Sequence, residues 1–146
     1  MPVMKRLGIF MLAAVGAISA ANAEGYKPEM YDKLPEKARI FIGEYFGGRD
    51  VEAVKKSRYP IEYGVVFADG TKAEFDADGE WMEVDCRKES VPTVIVPSQI
   101  RDYVRSKYPG QDIVGVSRDR RGYDIELSNG YELGFDRKFR LVEFDD

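Results

Sequence analysis

The chain reads as an α+β fold: a tandem repeat of a helix plus a four-stranded antiparallel sheet, the two sheets forming one broad surface covered by helices on the other side. Three observations predict it. The segment opening at Leu34 matches the segment opening at Val96, first at a spacing of 62 residues and then of 60. Within each copy the apolar period changes from about 3.6 residues to two. Turn pairs of the Asp-Gly and Asn-Gly kind punctuate the second half of both copies at matching places.

The helices come first in each copy. Ala38, Phe41, Ile42, Tyr45 and Phe46 fall at i, i+3, i+4, i+7 and i+8, one stripe of a helix. Pro35 suits the first turn, where a missing N–H costs nothing, and Gly47-Gly48 stops the helix. The second copy repeats this plan with Pro97, Ile100, Tyr103, Val104, Tyr108 and Pro109-Gly110.

Strands follow. Extended segments near Val51 to Lys56 and Ile113 to Arg118 lead into Tyr63, Val65 and Phe67, matched by Tyr123, Ile125 and Leu127. The first triplet alternates with Glu62, Gly64 and Val66 and the second with Asp124, Glu126 and Ser128, the pattern of a strand with one buried face. Asp69-Gly70 and Asn129-Gly130 are read as two-residue type I′ turns. Phe75 and Phe135 then mark third strands, and Trp81 to Cys86 and Phe139 to Phe144 mark fourth ones. The repeats span 34–87 and 96–146, joined by an extended connector over 88–95 whose Val94-Ile95-Val96 run is apolar enough to lie against the body.

The first 23 residues have the form of a cleavable export signal: Lys5 and Arg6, an apolar run from Leu7 to Ala20, and Ala21-Asn22-Ala23 as a small-x-small cleavage site. The apolar run is short of the roughly 20 residues of a spanning helix, so no transmembrane segment is expected after cleavage. Residues 24–146 then form a single domain of two repeats. Removing the signal takes two basic residues and no acidic one from a formal net charge of −4, leaving −6. That balance argues against a nucleic-acid partner.

The function classes narrow further. There is no histidine, which removes Ser-His-Asp and Cys-His catalysis and the usual zinc and haem ligands. With one cysteine, Cys86, no internal disulfide forms, and a buried inert thiol is expected. Asp76-Ala77-Asp78-Gly79-Glu80 invites a calcium reading, but it lacks the distal Glu, and the second copy carries Arg137-Lys138 at the corresponding place. A hairpin turn is the better reading. Arg118 to Arg121 is read as a solvated hairpin tip. No cofactor and no enzymatic activity are expected.

Strand phase singles out one surface. Counting alternately from the apolar positions places Glu62, Val66, Lys72, Glu74, Trp81 and Glu83 on the outer face of the first copy. It places Asp124, Glu126, Glu132, Leu141 and Glu143 on that of the second. An outward Trp81 ringed by carboxylates has the character of an interface anchor. Trp81, Glu83, Glu62, Glu74, Leu141, Glu143 and Glu126 are therefore the candidate partner-binding residues.

Leu34-Pro35, Phe41-Ile42, Tyr45-Phe46, Tyr63, Asp69-Gly70, Glu74-Phe75-Asp76 and Trp81, followed by Pro97, Tyr108-Pro109, Asn129-Gly130 and Phe135-Asp136, give the chain a resemblance to the PepSY-like, β-lactamase-inhibitor-like proteins of the bacterial periplasm. It covers about Leu34 to Asp145. The resemblance implies a tandem pair of α/β repeats whose sheets form a curved surface, on which the named inhibitors grip a globular enzyme. Trp81 and Tyr131 do not match an inhibitor motif, so β-lactamase inhibition is an analogy of shape. The expected function is a periplasmic protein-binding module that meets another envelope protein through its sheet face; the alternative is a small-ligand or cell-wall-fragment binding protein.

Overall fold

The computed structural model describes residues 28–146; the export signal expected over 1–23 lies outside the described residues. The elements run α1 (Pro28–Asp32), α2 (Glu36–Phe46), β1 (Val51–Arg58), β2 (Ile61–Phe67), β3 (Lys72–Asp76), β4 (Trp81–Asp85), α3 (Ser98–Lys107), β5 (Ile113–Asp119), β6 (Gly122–Leu127), β7 (Glu132–Asp136) and β8 (Leu141–Asp145). A single 3-10 turn, Thr93–Ile95, precedes α3. This is an α+β fold with one antiparallel sheet of eight strands in chain order, β1 to β8. Contacts divide the chain into two compact units, one ending at Val84 and one beginning at Asp85.

In the unit ending at Val84, α2 buries Ala38, Ile42 and Phe46, the stripe that its sequence spacing requires. Opposite them lie Val65 and Phe67 of β2 and Ala73 and Phe75 of β3, all at most 1% exposed. Phe46 packs its ring 5.4 Å from Phe67, and Phe41 meets Phe75 edge-on at 5.6 Å. In the unit from Asp85, Ile100 and Val104 of α3 face a core of Val114, Val116, Ile125, Leu127, Leu133 and Phe135. Pro35 and Pro97 each sit just before the first helical residue, where their carbonyls accept the N–H of Arg39 and Arg101.

The hairpins differ from the type I′ turns expected. Gly70 N–H donates to the Phe67 carbonyl and Phe67 N–H to the Thr71 carbonyl, which makes a three-residue loop with the glycine in the left-handed region. The same pair of bonds recurs at Leu127–Tyr131, Asp76–Glu80 and Asp136–Arg140. A single residue with positive φ suffices in this geometry, and Phe139, at φ 64°, fills in the last hairpin the position that glycine fills in the others.

The connector is only partly held against the body. Val91 and Val96 are buried, and Val91 N–H donates to the Ile113 carbonyl at 2.9 Å. Val94, expected to lie against the body, is instead 69% exposed, because the 3-10 turn swings it outward. Cys86 is unbridged and 3% exposed.

Candidate functional site

The second unit carries the clearest candidate surface. Its register pairs Glu126 with Gly115 and Glu132, Asp124 with Ser117 and Gly134, Gly134 with Glu143, and Glu132 with Asp145. Since partners across a ladder share a face, one side of β5 to β8 holds Asp119, Asp124, Glu126, Glu132, Asp136, Glu143 and Asp145. No Lys or Arg occupies a ladder position on that side, but Arg121 and Arg140 reach in from the turns to pair with Asp119 at 3.0 Å and Asp136 at 2.9 Å. The opposite side holds Val116, Ile125, Leu133 and Phe135, the core under α3.

Leu141 does not belong with these carboxylates. It pairs with Phe135, while Glu143 pairs with Gly134, so β8 has an irregularity that leaves Val142 as the extra residue. The bulge moves Leu141 to the helix side, and simple alternation from Glu143 therefore misplaces it. Trp81, which precedes Leu141 by 60 residues, errs in the same direction. It is 8% exposed, its ring stacked 6.3 Å from Phe41 of α2, the ring that also touches Phe75. The expected outward anchor is a core residue.

Glu74 and Glu83 also depart from the exposed positions expected of them, at 3% and 5% exposure. Glu74 lies opposite Gly64, and its Oε1 has no hydrogen-bond partner. Burial, reinforced by the neighbouring charge of Glu62 and only partly opposed by Lys72, pushes its carboxyl up to about 8. Glu62, half-buried beside Asp76, is raised by the same causes in the same order: burial, then the like charge. The first unit's carboxylates thus face each other, and Lys55 and Lys72 share their side of the sheet.

Asp76 to Glu80 closes on itself. The Asp76 Oδ1 accepts the N–H groups of Asp78 and Glu80 at 2.9 and 3.0 Å, and Glu80 Oε1 accepts from Lys37 Nζ at 2.8 Å. Those oxygens are spent on the turn and on tying it to α2. Among the described residues there is no group of three or more His, Cys, Asp or Glu able to hold a metal ion, and no helix is long and apolar enough to cross a membrane.

Of the seven residues singled out from sequence, Glu126 and Glu143 share the acidic face of the second unit. Glu62 and Glu74 sit together on the first unit's sheet, Glu83 is buried in the adjoining strand β4, and Trp81 and Leu141 leave the set. Asp119, Asp136 and Asp145 are additional members of the acidic face. Asp119 and Asp136 were readable as the polar ends of alternating strands.

Known proteins resemble this chain over most of its length. A family model described as "Putative beta-lactamase-inhibitor-like, PepSY-like" matches residues 61–143. A solved structure from Bacteroides vulgatus, described as a "putative periplasmic protein of unknown function", is 36% identical with a TM-score of 0.73, covering 79% of this chain and 94% of that one. One from Bacteroides thetaiotaomicron, described as a "putative calcium-regulated periplasmic protein", is 35% identical with a TM-score of 0.78, covering 88% and 100%. A third, a further "putative periplasmic protein" from Bacteroides vulgatus, is 32% identical with a TM-score of 0.75 over 88% and 100%. No curated protein matches. The family model's match over more than half of the sequence establishes that the chain belongs to the PepSY-like, beta-lactamase-inhibitor-like family.

Proposed function

We propose that this chain is an exported, non-enzymatic binding module of the periplasm, built of two tandem copies, that offers the acidic sheet face of its second unit to a basic patch on another envelope protein. The observation that carries the reading is the segregation of seven carboxylates onto one side of β5 to β8. Two cations reach it from the turns, Arg121 to Asp119 and Arg140 to Asp136, so the face keeps a large acidic excess among the described residues. Such a face steers a basic partner and holds it in register, with little affinity for anionic polymers. Inhibition follows where the covered surface contains the partner's active site. The periplasmic descriptions of the relatives support the location, and the signal-like first 23 residues supply the route. Calcium, named in the description of one 35% identical relative, acts in this reading by screening the carboxylates as a diffuse counter-ion, since no group of three or more of them among the described residues can hold a metal ion.

The test is capture from periplasmic extract by the wild-type chain and by Glu126→Lys with Glu143→Lys. The double variant should lose the partner. Lys107→Glu, on α3, should keep it, and millimolar calcium should weaken capture. Equal recovery by the double variant and the wild type would remove the acidic face from the function.

A further inference from the structure

A second site lies away from the acidic face, within the unit from Asp85. A cavity of about 240 Å³ opens between the connector, α3 and the start of β5. The fold makes it in three steps. Val91 is pinned to Ile113 by a backbone bond of 2.9 Å, the connector then turns at Thr93–Ile95, and α3 runs back over the gap. Val91, Val96 and Val104, each at most 3% exposed, give it an apolar floor. The Tyr108 ring forms one wall, itself fixed by Phe144 stacked at 6.3 Å and Tyr131 edge-on at 5.8 Å.

The rim is cationic. Arg101 and Arg105 stand one turn apart on α3 and both line the opening, against one carboxylate, Asp112. Arg101 Nε donates to the Val96 carbonyl at 3.0 Å, which fixes the guanidinium plane at the edge of the floor and leaves its terminal nitrogens for another acceptor. Arg105 reaches Asp102 at 3.2 Å in a pair whose two side chains are mostly exposed, so that contact is weak and readily exchanged. Two guanidinium groups beside an apolar floor suit a carboxylate joined to a short hydrocarbon, because arginine binds carboxylates through paired N–H groups. The volume is below the roughly 300 Å³ at which sites for drug-sized ligands begin, which keeps the ligand small.

We propose that this cavity binds a small aliphatic carboxylate, its head group on Arg101 and Arg105 and its tail on Val91, Val96 and Val104. The test is titration of the isotope-labelled chain with hexanoate, hexanol and hexylamine, followed by amide chemical shifts. Hexanoate should give saturable shifts centred on Val91, Val96, Tyr108 and Ile113, and hexylamine should give none. Arg105→Gln, at an exposed position, should weaken hexanoate about tenfold without unfolding the chain, and Arg101→Gln should do the same where circular dichroism shows the fold intact. Absence of saturable shifts, equal binding of hexylamine, or hexanoate binding unchanged in Arg105→Gln would each overturn the proposal. Because none of these residues lies on the acidic face, the outcome is independent of partner capture.

Discussion

Glu74 shows how far a single position can be moved by its surroundings. On the β2 side Glu74 lies opposite Gly64, which has no side chain to offer a hydrogen bond, and one carboxyl oxygen is left unpartnered. Its pKa rises from 4.5 to about 8, so the folded state keeps a proton that the unfolded chain releases. Below pH 4.5 both states are protonated and nothing is lost. As the pH climbs through that window to about 8, stability falls, and above it the loss is constant. Glu74→Gln should abolish this slope. The gain should be on the order of 2–3 kcal/mol at pH 8 and near zero at pH 4, read from urea unfolding at the two pH values. Equal effects at both would show that the carboxyl titrates normally. Trp81 makes the complementary case: a side chain expected at an interface serves the core, so Trp81→Ala should cost roughly 3–5 kcal/mol of stability. Partner capture by the chain that remains folded should be unchanged.

At the scale of elements, one hairpin design is used four times. Each carries a backbone pair closing three residues, and in three of them a glycine takes the left-handed position. Context sets the cost of losing it. Around Gly130 a Cβ would meet nothing within 4 Å, so Gly130→Ala should cost only the backbone term, about 1–2 kcal/mol. At Gly79 a Cβ would come within 2.8 Å of Pro35 Cβ and 3.0 Å of Ala38 N, where the turn tucks under the start of α2. Gly79→Ala should therefore be worse than Gly130→Ala by at least about 1 kcal/mol, in paired thermal or urea unfolding. The element that defeated simple alternation was β8. Its extra residue reverses the phase, so Leu141 sides with Phe135 while Glu143 keeps the outer face.

For the molecule as a whole, the uneven placement of charge matters more than its total. A formal charge of −4 over the full sequence is modest, yet β5 to β8 collect seven carboxylates on one side. Binding that uses this face should weaken steeply as salt rises from about 0.05 to 0.5 M, mainly through slower association. A surface-plasmon series against the captured partner would measure it. Salt-insensitive association would point to an apolar contact elsewhere.

The elements and their order were legible in the sequence. Helical stripes such as Ala38, Ile42 and Phe46, and alternating triplets such as Tyr123, Ile125 and Leu127, encode local period and burial together, and glycines announce the turns. The outer carboxylates Glu126 and Glu143 followed from the same counting. What only the tertiary structure decided was whatever depends on a residue's neighbours across the sheet. A bulge leaves no mark in the one-dimensional pattern, so the side taken by Leu141 could not be counted out, and the burial of Trp81 depends on its stacking against Phe41 of α2. The burial of Glu74 and Glu83, and the meeting of Arg101 with Val96 and Val91 around a cavity, arise from packing between segments distant in sequence or separated by a turn. Alternation reports which way a side chain points from its own strand; what covers it is set by the rest of the fold.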